Sequence, residues 1–173
     1  MARRYLLRVA TWCLVPIILS GCTSGSQPPD ADAFNGDEVG GCGDFFVYHT
    51  SANRRWRLTV TVDRTDLPDA AIPATLDLAK DSEFVRVEML RLGAGTDTDP
   101  CDCIRGGPPT DVWKAVSGTL TITTQRLEKP FAEENYKVSV TLDDVELKHP
   151  ETESRSTLDT VEINNVVVGW FAG

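Results

Sequence analysis

Residues 136–147, YKVSVTLDDVEL, and residues 161–170, VEINNVVVGW, decide the fold. In the first, Tyr136, Val138, Val140 and Leu142 stand on even positions, whereas Val145 and Leu147 stand on odd ones. Successive side chains of a β-strand point to opposite faces, so this is one apolar face interrupted by an extra residue at Asp143-Asp144. The second stretch has the same grammar: Val161 and Ile163 are odd, Val166, Val168 and Trp170 are even, and the shift falls at Asn164-Asn165. Between them lies the polar turn His149-Pro150-Glu151-Thr152-Glu153-Ser154. The pattern predicts a long C-terminal hairpin with a β-bulge in each arm, twisted so that it wraps a core.

Working toward the N-terminus, the two-residue period persists. Val116, Gly118, Leu120 and Ile122 alternate with Ser117, Thr119, Thr121 and Thr123. Val85, Val87 and Met89 share a face within 84–92, and Trp56, Leu58, Val60 and Val62 alternate with Arg57, Thr59, Thr61 and Asp63. Phe45 to Tyr48 reads as a strand after the bend at Gly41-Cys42-Gly43, and Thr75 to Ala79 as a short edge strand. The segment 64–73, with Pro68 and Pro73, reads as a loop, and no window supports a helix of ten residues. About seven strands with regular turn signals predict an all-β fold: an antiparallel β-sandwich, with a barrel as the second choice. The tryptophan and cysteine spacing of an immunoglobulin domain is not met.

The longest break in the pattern is 93–111, GAGTDTDPCDCIRGGPPTD, and a loop of this length is usually functional or disordered. It holds Cys101 and Cys103, which with Cys42 form the cysteine set of the domain. Two cysteines separated by one residue rarely pair with each other, because a disulfide needs Cα atoms about 4.4–6.8 Å apart and opposed Cβ vectors. The expectation is a bridge from Cys42 to either Cys101 or Cys103, closing a loop of about 60 residues. The competing reading is chemical: Cys101 and Cys103 flanking one residue could chelate a soft metal, with Cys42 and His49 completing a zinc site. Asp97, Asp99 and Asp102 place alternate carboxylates in the same loop, but Pro100 and Cys101 occupy the positions where a calcium loop needs ligands and glycine. Solvated carboxylates are the plainer account. Trp56 and Trp170 are in phase with apolar neighbours and read as core. Trp113 is out of phase with Val116, Leu120 and Ile122, so it is the tryptophan expected to be exposed, where it could stack on a glycan.

The N-terminus has a different character. Arg3, Arg4 and Arg8 precede an apolar run from Val9 to Leu19, broken by Pro16, and Ser20-Gly21 lead into Cys22. A basic start, a short apolar stretch and a small-residue exit are the parts of a secretory signal. A run of about 11 residues is too short for a spanning helix, which needs about 20. Leu19-Ser20-Gly21-Cys22 resembles the lipobox of bacterial lipoproteins. The resemblance covers residues 1–22, and it implies a lipid-modified Cys22 as the new N-terminus, a membrane partner through that lipid, and residence in the cell envelope. Thr23, where the family's inner-membrane retention signal carries aspartate, implies the outer membrane in a Gram-negative cell.

The implied organisation is a signal over 1–21, a lipidated cysteine and flexible tether over 22–41, and a domain over 42–173. The tether, rich in Gly, Ser, Pro and Asp, would hold the domain about 25 Å from the lipid. Removing 21 of the 173 residues takes away three arginines and no acid, so the net charge falls from −9 to −12. So acidic a chain is a poor partner for nucleic acid, which is bound through basic patches. His49 and His149 are far apart in the sequence, and there is no Gly-x-Ser-x-Gly elbow, no HExxH motif and no phosphate-cradling loop. No cofactor and no catalytic residue are indicated. The sequence describes a lipid-anchored envelope module with a binding or structural role, its partner an envelope protein or a glycan. The alternative is a metal-binding or redox-active lipoprotein using Cys42, Cys101 and Cys103.

Overall fold

The computed structural model describes residues 27–43, 45–63, 74–94, 98–101, 107–127 and 136–169. These form nine antiparallel strands in one continuous sheet that folds over on itself as a sandwich and does not close into a barrel. In chain order they are β1 (Val39–Cys42), β2 (Phe46–Thr50), β3 (Trp56–Val62), β4 (Ala74–Asp77), β5 (Val85–Arg91), β6 (Asp111–Arg126), β7 (Tyr136–Lys148), β8 (Arg155–Leu158) and β9 (Val161–Val168). The expected all-β sandwich is therefore present, with nine strands in place of about seven.

The β6–β7 ribbon is the spine. One end of it, Asp111–Lys114 with Val145–Lys148, continues outward through β5, β3, β2 and β1 on one side and β8 on the other. The other end, Thr119–Arg126 with Tyr136–Asp143, is flanked by β4 and β9. The ribbon changes layers where its ladder is irregular. Val116 is an extra residue between the pairs Ala115↔Leu147 and Ser117↔Glu146, and an extra residue in β7 lies opposite Gly118 before Thr119↔Asp143. Asp144 there has φ +50° and Gly118 φ +123°, so the bulge anticipated at Asp143-Asp144 sits at the fold of the sandwich. The bulge anticipated at Asn164-Asn165 is also found: both face Ser139, Asn165 has φ +60°, and its N–H donates to Ser139 Oγ at 3.1 Å. The C-terminal hairpin is present, but its return arm is divided into β8 and β9, which pair with opposite halves of β7.

Between the layers lies a single apolar cluster in which Leu58, Val60, Met89, Leu120, Leu142, Leu147, Leu158 and Ile163 are fully buried. Each such side chain contributes about 1.5–3 kcal/mol relative to exposure. The edges β1 and β9 approach each other, and the Gly43 N–H donates to the Gly169 carbonyl at 3.0 Å. Trp170, expected in the core, lies outside the described residues.

Two expectations are corrected. Residues 28–41 belong to the domain and not to a tether. Pro28 is buried, a 3₁₀ turn over Ala31–Phe34 inserts Phe34 into the core at 6% exposure, and Val39–Cys42 form the first strand. Composition averages over the segment, whereas one buried ring and a backbone ladder suffice to dock it. The second correction is Trp113, which is 3% exposed. Val116, the extra residue in β6, reverses the phase of the strand, so Trp113 and Ala115 share the inner face with Leu120 and Ile122. A glycan platform on Trp113 is thereby removed.

Candidate functional site

The 93–111 loop is the feature that the sheet supports. It leaves β5, and its residues Thr98–Cys101 lie against the outer face of β2 and β3, reaching edge strand β1. Three attachments fix it there. Cys42 on β1 is bonded to Cys101, with Cα atoms 5.8 Å apart. Arg57 on β3 donates from its Nη1 to the Thr98 carbonyl at 3.1 Å and from Nε to Thr50 Oγ1 at 3.2 Å. Tyr48 on β2 donates its phenol O–H to the Asp99 carboxylate, and Asp99 Oδ1 also accepts the Cys101 N–H at 2.9 Å.

The alternation of β2 and β3 turns Tyr48, Arg57 and Thr59 away from the core, yet all three are buried, at 6%, 5% and 5% exposure. Arg57 stacks over the Tyr48 ring, 5.1 Å from its centroid, an attraction that strengthens as water is removed. Burying a guanidinium is unfavourable unless its donors are met, and the Thr98 carbonyl and Thr50 hydroxyl meet two of them. Space for the phenol comes from β1: a Cβ at Gly40, the residue paired with Tyr48, would lie 2.5 Å from the Tyr48 oxygen.

Burial first, and the Asp99 hydrogen bond second, push the Tyr48 phenol up to about 12, against the smaller opposing pull of Arg57. Alkaline titration at 295 nm should therefore show one tyrosine ionising near pH 12, and Tyr48→Phe should remove that step. The sign follows from proton counting. Between pH 10 and 12 the unfolded chain has lost the Tyr48 proton and the folded chain keeps it, so stability falls as pH rises through that window. A wild-type titration complete by pH 10.5 would show that the loop does not cover Tyr48.

At the base of the loop the same outer face carries a groove of about 610 Å³, lined by Glu88, Leu90, Thr110, Val112, Lys114 and His149 among others. Lys114 and Glu88 pair across β6 and β5 at 3.9 Å. His149 Nε2 donates to Asp111 Oδ1 at 2.7 Å, and its Nδ1 accepts the backbone N–H groups of Glu151 and Thr152 at 3.2 and 3.1 Å. With both ring nitrogens engaged and the ring edge-on to Trp113 at 5.3 Å, His149 ties the β7–β8 turn to the start of β6. It has no free lone pair with which to act as a base.

Of the residues singled out in the sequence, the structure brings together Cys42 and Cys101. Asp99 serves the loop's own hydrogen bonds. Cys22, Cys103, Asp97 and Asp102 lie outside the described residues. Among the described residues no three histidine, cysteine or acidic side chains are placed to hold a metal ion. Tyr48 and Arg57 were not legible in the sequence, because alternation assigns both to solvent and the residues that cover them, Thr98 and Asp99, are distant in the chain. The chain matches no protein-family model, no curated protein and no solved structure.

Proposed function

We propose that this chain is a lipid-anchored module of the cell envelope, held by Cys22, that recognises a partner through the 93–111 loop and the adjoining groove. The observation that carries this reading is the Cys42–Cys101 bridge. Structural disulfides belong to oxidising compartments, which agrees with an exported chain. The bridge and the Arg57 and Tyr48 contacts also hold Thr98–Cys101 against the sheet before any partner arrives, which lowers the entropy lost on binding by these residues. Connecting loops on a rigid scaffold are where recognition residues concentrate. Metal ligation by Cys42 and Cys101 would require their thiolates, and these are engaged with each other.

The anchor is tested by metabolic labelling of the full chain with an alkyne fatty acid. The wild-type chain should take up label and sediment with membranes. Cys22→Ser should lose the label entirely and keep its signal. Labelling of the serine variant, or an unlabelled wild-type chain, would sink the anchor. Recognition is tested in the same cells with a photo-crosslinking residue at Pro108, exposed at the loop base. A discrete adduct is expected there and not from Thr123, exposed on the opposite layer.

A further inference from the structure

We propose that His49 is an acid-sensitive latch that holds residues 28–38 on the domain, so that mild acidification frees this segment while the sandwich stays folded. His49 lies on β2 at 3% exposure. Its Nε2 donates to the Gly36 carbonyl at 2.9 Å, and its ring meets Phe34 edge-on at 5.6 Å between centroids. The other ring nitrogen, Nδ1, is buried and has no hydrogen-bond partner among the described residues. In the neutral ring Nδ1 is an unmet acceptor. In the imidazolium it becomes a buried N–H with nothing to receive it, a more unfavourable state than the first.

Among the described residues the surroundings offer no remedy in place. β1 presents Val39 and β3 presents Leu58 as the residues paired with His49. The nearest carboxylates, Asp37 and Glu38, belong to the segment being held, and Glu38 is engaged by Arg54 of the β2–β3 turn at 2.9 Å. Arg57, the charge nearest on β3, is bonded to the adjacent Thr50. Asp37 and Glu38 favour the charged ring, as does the Gly36 carbonyl, but desolvation outweighs them and holds the imidazole below its ordinary value. The folded chain therefore binds fewer protons than the opened one as pH falls below about 6.5, and the closed state loses stability through that window.

What opens is bounded by the other contacts. Residues 28–38 are tied by the Phe34 ring, the His49 bond, Ala52 N–H to Ala33 O, Thr50 N–H to Glu38 O, and the Arg54–Glu38 pair. From Val39 onward β1 is held by its ladder to β2 and by the disulfide at Cys42. For an anchored chain, a consequence that rests on the lipid reading above, opening would add residues 28–38 to the chain between lipid and domain. Fully extended, they would add up to about 40 Å of reach. The device would let the domain stand off its membrane in acid.

The test is hydrogen–deuterium exchange of the full chain in detergent at pH 7.5 and 5.0, corrected for the intrinsic pH dependence of amide exchange. Protection at Thr50 and Ala52 should fall at least tenfold at the lower pH, while Leu58 and Val60 in β3 keep theirs. His49→Gln retains a donor for the Gly36 carbonyl and cannot be protonated, so its Thr50 and Ala52 protection should not change with pH. Unchanged wild-type protection, an equal loss in β3, or the same loss in His49→Gln would each overturn the latch. If the glutamine variant does not fold, the wild-type His49 imidazole titration, followed by NMR, must share its midpoint with the loss at Ala52. A mismatch overturns the proposal. Failure of the fatty-acid labelling would remove the membrane consequence and leave these readings untouched.

Discussion

Replacing Cys42 and Cys101 together by serine should lower the stability of the domain by about 4 kcal/mol, because the bridge closes a 59-residue separation and loop-closure entropy grows with the logarithm of that length. For a domain of this size the corresponding fall in Tm is about 12 °C. The double variant is the cleaner test, since a single replacement leaves a thiol beside the loop. Part of the loss should appear as loop release. Once the bridge is gone, the Thr98–Arg57 and Asp99–Tyr48 hydrogen bonds have to hold Thr98–Cys101 without covalent help. Tyr48→Phe should therefore be less costly in the bridged chain than Cys42→Ser/Cys101→Ser, and the two changes should not be additive, as expected for contacts serving one loop. Urea denaturation of the full chain, with and without reductant, measures all of this. A reduced chain unfolding at the same urea concentration as the oxidised one would mean that the bridge constrains neither the unfolded chain nor the loop.

What could be read in advance was whatever depends on the backbone period. A strand with one buried face alternates whether or not its neighbours are known, so β3, β5 and β7 were legible residue by residue, and a one-residue slip at Asp143-Asp144 or Asn164-Asn165 could only be a bulge. The same rule failed in β6. Val116 is itself apolar, and it filled the gap in the pattern that a polar residue would have exposed, so Trp113 fell out of phase. The docking of residues 28–41 was hidden for a different reason: its apolar content is little more than Phe34 and Val39, and most of its attachment is backbone hydrogen bonding, which leaves no trace in hydropathy. The site divides in the same way. A disulfide partner for Cys42 is restricted by cysteine count and geometry, whereas the burial of Tyr48 and Arg57 is conferred by residues distant in sequence. Local periodicity carries no information about which loop will cover a sheet.

Gly118→Ala is expected to be among the most damaging single substitutions in the chain, at about 3–5 kcal/mol, from two separate causes. At φ +123° an alanine occupies backbone space that is essentially reserved for glycine, at about 1–3 kcal/mol. The new Cβ would also lie 2.7 Å from Val145 Cα and 2.9 Å from Asp144 O, so the relief has to come from backbone and not from a rotating side chain, at about 1–3 kcal/mol more. The position magnifies both. Gly118 faces the β7 bulge where the β6–β7 ribbon passes from one layer to the other, and its carbonyl accepts the Leu78 N–H just past β4 at 3.0 Å. Displacing it moves the two layers against each other and disturbs Leu120 and Leu142, both fully buried nearby on the ribbon. Asp144→Gly separates bend geometry from side-chain chemistry. It relieves a non-glycine residue at φ +50° while loosening the unfolded chain, two effects of about 1 kcal/mol with opposite sign. Its stability should stay within about 1 kcal/mol of the wild type, since each effect is of that size. Denaturant midpoints of the two variants beside the wild type decide the point. If Gly118→Ala proves as mild as Asp144→Gly, the ribbon bends without needing glycine, and the sandwich turns its corner through the bulge residues themselves.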